Sequence, residues 1–247
     1  DGAGDEGLEI GRGRSLLRLR NLCIAAVVIL CLSVGLVLAQ EYPPAFPRTN
    51  ATKLVDNERI TVWDIVWPKG QPSPLHRHVY DQVGTYYEAG GRVITNLDGT
   101  KRSAMTAVGA LSTTRRGTTH IEEGATDPPL RAVFIELKRD SASGLSSAPG
   151  DLPRAFPREG AKPLLDDERV TVWDYSWAAG ARETMSLVER DTIWVWLAPG
   201  TFRVTRPGRA PETSHVKAGE IRSLPRGTVE AGEAVDGSPR AMIFSFK

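Results

Sequence analysis

Cysteine is almost missing from this chain. The two it has, Cys23 and Cys31, lie in one apolar stretch near the N-terminus, which excludes disulfides and thiolate metal sites from everything after Gln40. Net charge is missing too: 31 Lys and Arg against 30 Asp and Glu leave nothing to draw the chain to nucleic acid. Long amphipathic helical patterns are missing after residue 40. In their place come short runs rich in Val, Ile, Thr and Trp, punctuated by many of the 24 glycines and 17 prolines, the pattern of a turn-rich all-β protein. Histidine is scarce, with four residues, yet three of them fall in two short segments.

The N-terminus has its own character. A polar tail over residues 1–11 is followed by Arg12, Arg14, Arg18 and Arg20, then by 18 uncharged residues from Leu22 to Ala39, with Val37 and Ala39 at the positions a signal peptidase reads. This is the pattern of a secretory signal. The same stretch is also long enough to stay as one apolar membrane-anchoring helix, with the arginines on the cytoplasmic side. Either outcome puts the folded part outside the cytoplasm: periplasmic, secreted, or anchored through residues 22–39.

After Gln40 the sequence repeats. Ala45-Phe46-Pro47-Arg48 returns as Ala155-Phe156-Pro157-Arg158, 110 positions later, and the stretch Asn57 to Asp64 returns as Asp167 to Asp174. Carried to the end without a gap, the same offset takes Gly109 to Gly219, Gly117 to Gly227 and Phe134 to Phe244. A period this long means a duplicated domain. The expected division is a tail and apolar segment over 1–40, a first domain over 41–140, a Ser, Gly and Pro-rich linker over 141–150 and a second domain over 151–247. Strands are expected near 59–66, 84–97, 104–114 and 130–138 of the first domain, with a hairpin turn at Asp98-Gly99.

Chemistry concentrates between Gly70 and His78 and between Gly109 and His120. His76 and His78 are two apart, so on an extended strand both imidazoles point the same way, and neutral imidazole is a good ligand for borderline divalent metals. His120 is placed to complete a set of three. His215 stands alone among polar residues and reads as a surface histidine. Trp63, Trp67, Trp173 and Trp177 recur in both halves as packing residues. Tyr86 and Tyr87 follow the first segment on a strand, so one of them faces inward, where Tyr86 is the candidate to hydrogen-bond a substrate. Arg92, Arg115 and Arg116 are weaker candidates for holding an anion. No catalytic acid or base can be named.

The two histidine segments resemble the paired motifs of the cupin superfamily. Gly70, five residues, then His76-Arg77-His78 match the first; Gly109, five residues, Arg115-Arg116-Gly117, two threonines and His120 match the second, with arginine where the family has proline. The resemblance implies two tandem cupin barrels, jelly-roll-like double-stranded β-helices. It also implies one divalent metal ion, Fe, Mn or Zn, bound by His76, His78 and His120. Where the family has an acidic ligand this chain has Gln82, beside Asp81. The fourth ligand is then the Gln82 amide oxygen, Asp81 or water, and the recurrence of Asp81 as Asp191 favours a structural role for it. The second half lacks all three histidines, with Ser186, Val188 and Glu230 in their places, and is expected to serve packing or assembly.

The function the resemblance implies is that of an exported bicupin, a metal-dependent dioxygenase or isomerase acting on a small molecule, as a monomer or homodimer. The alternative is a non-catalytic protein that binds a small molecule or serves a structural role.

Overall fold

The computed structural model describes residues 41–138 and 152–247. Residues 22–39 and the linker 141–150 lie outside the described residues. Among those described, no helix is long and apolar enough to cross a membrane, and every named element is a strand.

The first half folds as β1 (Ala51–Asp56), β2 (Ile60–Trp67), β3 (His76–Arg77), β4 (Asp81–Glu88), β5 (Gly90–Asn96), β6 (Lys101–Thr106), β7 (Leu111–Thr114), β8 (Thr119–Gly124) and β9 (Leu130–Leu137). They make two sheets, β1-β2-β9-β4-β7 and β3-β8-β5-β6, antiparallel throughout. The expected run 84–97 is thus two strands, β4 and β5. The expected run 104–114 is also two, because Gly109, at φ 79°, turns the chain between β6 and β7. Strand β8, which carries His120, was not expected at all.

The second half folds as β10 (Lys162–Asp166), β11 (Val170–Ser176), β12 (Ser186–Leu187), β13 (Thr192–Thr205), β14 (Glu212–Val216), β15 (Ile221–Leu224) and β16 (Val229–Phe246). Here β13 covers the ground of β4 and β5, and β16 that of β8 and β9, so the two layers share continuous strands.

The offset of 110 does not hold to the end. Gly70 donates to the Gly124 carbonyl and Gly180 to that of Ala234, in step with it. Yet Trp63 pairs with Phe134 while Trp173 pairs with Ile243, an offset of 109 on the last strand. One residue is therefore missing between Ala234 and Arg240, and Glu136 corresponds to Ser245, not to Phe246. A one-residue change of register exchanges the faces of a strand, so this correction decides which side chains enter the second barrel.

Strand β2 shows why both faces are apolar. Trp63, Ile65 and Trp67 alternate into the first barrel with Leu130, Ala132 and Phe134, while Ile60 and Val62 point the other way. That outer face packs against its counterpart from the second half: Val133, Ile135 and Leu137 meet Val172, Ile193, Val195, Met242 and Phe244 in one buried cluster. Strands buried on both faces read as near-continuous apolar runs. The contact is reciprocal, as in a two-fold interface. Arg59 pairs with Asp191 at 3.7 Å, and its repeat Arg169 pairs with Asp81.

Gly84 sits where β4 crosses β9. A Cβ there would run into the Phe134 side chain and the Val133 carbonyl, and the second barrel solves the same packing with Trp194 over Ile243. Gly84→Ala is expected to lower stability by about 1–3 kcal/mol through overpacking, read from the urea midpoint; an unchanged midpoint would show that β9 yields freely at this point.

Candidate metal centre

Strands β3 and β8 lie side by side with His76 opposite His120, and His78 follows one residue beyond β3. The turn Arg115 to Thr118 fixes that alignment: Thr118 N–H donates to the Arg115 carbonyl at 3.2 Å, and Gly117, at φ 87°, donates to the His78 carbonyl at 2.7 Å. Pro225 to Thr228 makes the same turn in the second half, so arginine in place of proline leaves the turn intact.

The three rings are buried, with centroids 4.8–5.3 Å apart and planes at 67–89° to one another. One ligand atom from each lies within 4.8 Å of the others. His78 Nε2 and His120 Nε2 are 3.2 Å apart, close to the separation of two nitrogens each about 2.1 Å from one ion. His76 Nδ1 is 2.9 Å from the Pro74 carbonyl. A carbonyl can only accept, so Nδ1 carries the proton and Nε2 keeps its lone pair. That Nε2 is buried without a partner, as are His78 Nδ1 and both amide atoms of Gln82. Unpaired buried polar atoms are costly, and an ion held by the three rings would give His76 Nε2 and the Gln82 oxygen a partner, so the residues fit a metal.

Burial keeps the imidazoles uncharged: it lowers His76, takes His78 down to about 3 and His120 to about 4. Neutral imidazole is the form that binds metal.

Gln82 enters this barrel from β4, on the same face as Gly84 and Tyr86, and is 3% exposed. Asp81 points elsewhere. Its carboxylate accepts the Arg116 N–H at 2.6 Å and pairs with Arg169, and its repeat Asp191 accepts the Arg226 N–H at 2.9 Å and pairs with Arg59. It belongs to the contact between the halves. Tyr86 is buried beside Trp67 and Phe134, and its hydroxyl oxygen accepts from Arg92 Nη2 at 2.9 Å. Arg115 and Arg116 are exposed, and so is His215 on β14.

Sequence reasoning missed Glu122. It lies two residues after His120, on the same face of β8, with Oε1 3.8 Å from His120 Nε2. Its carboxylate accepts from Arg92 Nη1 at 2.5 Å, Arg48 Nη2 at 2.7 Å and Trp67 Nε1 at 3.1 Å. Burial alone would raise the Glu122 carboxyl, but Arg92 and Arg48 hold it far below the ordinary carboxylate range. A signal was present in the repeated Ala-Phe-Pro-Arg: in the second half Arg158 pairs with Glu183, which also accepts from Trp177 Nε1 at 2.5 Å. Both barrels hold a carboxylate with an arginine and a tryptophan, but from different parts of the chain. Arg48, Ser73, Pro74 and Glu122 also line a cavity of about 300 Å³ next to His76.

The second barrel has no cluster of histidines among its described residues. Ser186 and Glu230 are buried in place of His76 and His120, and Glu230 is taken up by Arg222 at 2.7 Å and Arg206 at 3.3 Å. Trp177, Trp194, Trp196 and Phe202 fill the middle with rings 5.2–6.0 Å apart.

No family model and no curated protein matches the chain. Solved structures do. It is similar to a cupin 2 conserved barrel domain protein from Leptotrichia buccalis, at 15% identity over 80% of this chain and 88% of that one, with a TM-score of 0.54. A variant of salicylate 1,2-dioxygenase from Pseudoaminobacter salicylatoxidans matches at 14% identity over 90% and 82%, with a TM-score of 0.56. Oxalate decarboxylase from Bacillus subtilis, described with Mn(II) centres, matches at 12% over 82% and 76%, with a TM-score of 0.52.

Proposed function

We propose that this chain, which has the cupin fold, binds one divalent metal ion, Fe, Mn or Zn, in its first barrel and acts there as a metal-dependent dioxygenase or isomerase on a small molecule. The observation that carries the reading is the convergence of three buried, uncharged imidazoles beside unpartnered polar atoms. His76, His78 and His120 hold the ion, with the Gln82 amide oxygen as the fourth ligand. A dioxygenase and a Mn(II) protein among the structural neighbours support this class of chemistry.

An ion in this site supplies Lewis acidity or a place to activate oxygen. The ligand set carries no carboxylate, so an ion held there would keep its full positive charge, which favours an anionic or enolate substrate. Tyr86 accepts from Arg92 and keeps its own O–H to donate to that substrate. The folded part works outside the cytoplasm, a reading that rests on residues 12–39.

Elemental analysis of the purified chain tests this. About one equivalent of metal is expected, falling below a tenth in His76→Ala/His120→Ala, and the loaded protein is then screened for oxygen consumption with small phenols and diketones. A chain that holds no metal and takes none up on reconstitution would sink the reading and leave a duplicated barrel used for binding or assembly.

A further inference from the structure

The second barrel, which the metal site leaves without a role, contains a cavity of about 650 Å³. Its origin is visible in the corrected register. In the first barrel Gln82 pairs with Glu136 across β4 and β9; in the second, Thr192 pairs with Ser245 across β13 and β16. Val188 stands in place of His78. Three side chains are thus smaller than their counterparts, and all three replacements line the cavity.

The loss of Glu136 also changes the hydrogen bonding. In the first barrel Trp63 Nε1 donates to the Glu136 carboxylate at 2.8 Å. Trp173, the repeat of Trp63, lines the cavity, and its Nε1–H has no acceptor among the described residues. A carboxylate has been taken away and its donor kept. Around that vacancy Phe156, Trp173 and Trp194 provide aromatic wall, with Phe156 and Trp173 stacked at 5.5 Å. Arg154, Arg190 and Lys247 line the same cavity with Asp166 and Glu189. Glu189 is paired with Arg154 at 3.1 Å and Asp166 with Lys247 at 2.6 Å, leaving Arg190 without an ion pair among the described residues.

We propose that the second barrel binds an aromatic carboxylate. The carboxylate occupies the position that Glu136 fills in the first barrel, accepts from Trp173 Nε1, and is balanced by the extra charge of Arg190. The ring system lies against Phe156 and Trp194. The volume suits such a molecule, since small-molecule pockets run from about 300 to 1,000 Å³.

Calorimetric titration of the full, chelator-treated chain with naphthoate tests the proposal, with naphthalenemethanol as the uncharged control. Naphthoate is expected to bind at one site and the alcohol about tenfold more weakly or worse, as suits a lost charge-assisted hydrogen bond. Ser245→Glu, which restores the first-barrel carboxylate in this place, is expected to weaken naphthoate at least tenfold. Trp173→Phe keeps the ring and removes the donor, so it tests the same site without adding a buried charge; about tenfold is expected there too. Binding in His76→Ala/His120→Ala should equal that of the parent chain, so failure of the metal reading leaves this one standing. Absence of naphthoate binding, equal binding of acid and alcohol, or binding that ignores Trp173→Phe and vanishes with the histidines would overturn it.

Discussion

Glu122→Ala should destabilise the metal-free protein by about 3–5 kcal/mol, the cost of removing one partner from a buried charge cluster. The Arg48, Arg92 and Glu122 side chains are 8%, 12% and 6% exposed, so two guanidinium groups would be left in the barrel wall without their shared carboxylate. Arg92 would keep the Tyr86 oxygen and a place over the Trp67 ring at 4.9 Å. Arg48 would keep its positions near the Phe46 and Trp67 rings. Neither contact replaces a carboxylate. Glu122→Gln retains size and one acceptor oxygen and should lose less, while Glu123→Ala, a neighbour with no part in the cluster, should stay within about 0.5 kcal/mol. Urea unfolding with an unchanged slope measures all three. A loss below about 1 kcal/mol for Glu122→Ala would mean that water reaches the two arginines and that the cluster is not sealed in the barrel wall.

The convergence of the three histidines was legible because its signal is local and the fold is periodic. His76 and His78 share a strand face by spacing alone, and the glycine-to-histidine spacing around His120 marks a turn that needs a positive φ at Gly117. Asp81 was legible for a different reason: its repeat in a half without histidines pointed to structure, and the reciprocal pairs with Arg169 and Arg59 give that structure. Glu122 was not legible. Its partners come from 74 and 30 positions away in the chain, and the second half supplies the corresponding carboxylate from Glu183, so comparing the repeats at matched positions hides the likeness. The shift after Ala234 was hidden as well, since phenylalanine stands at both 134 and 244, yet Phe134 faces the first barrel and Phe244 the contact between the halves.

The same burial that prepares the imidazoles for metal should make the metal-free protein sensitive to acid. His78 and His120 have folded values of about 3 and about 4 against an ordinary 6.5. Below pH 6.5 the unfolded chain takes up protons that the folded barrel refuses, so stability present above 6.5 is lost as the pH falls toward 4 and then 3. At pH 5 these two residues together cost about 4 kcal/mol relative to pH 7. His76, also lowered, acts in the same direction. Glu136 acts in the opposite one: its carboxyl is raised by burial, so the folded state binds that proton first. Glu122 is held so low that it stays ionised throughout this interval. Urea unfolding of chelator-treated protein at pH 7, 6 and 5 measures the loss, and His78→Ala/His120→Ala should flatten the trend. With metal bound, the protein gains stability in proportion to the logarithm of metal over its dissociation constant, so the loaded chain should hold its pH 7 stability further into acid. A metal-free chain within about 1 kcal/mol of its pH 7 stability at pH 5 would show that the imidazoles are hydrated, and with that the case for a dry, preformed ligand set would fail.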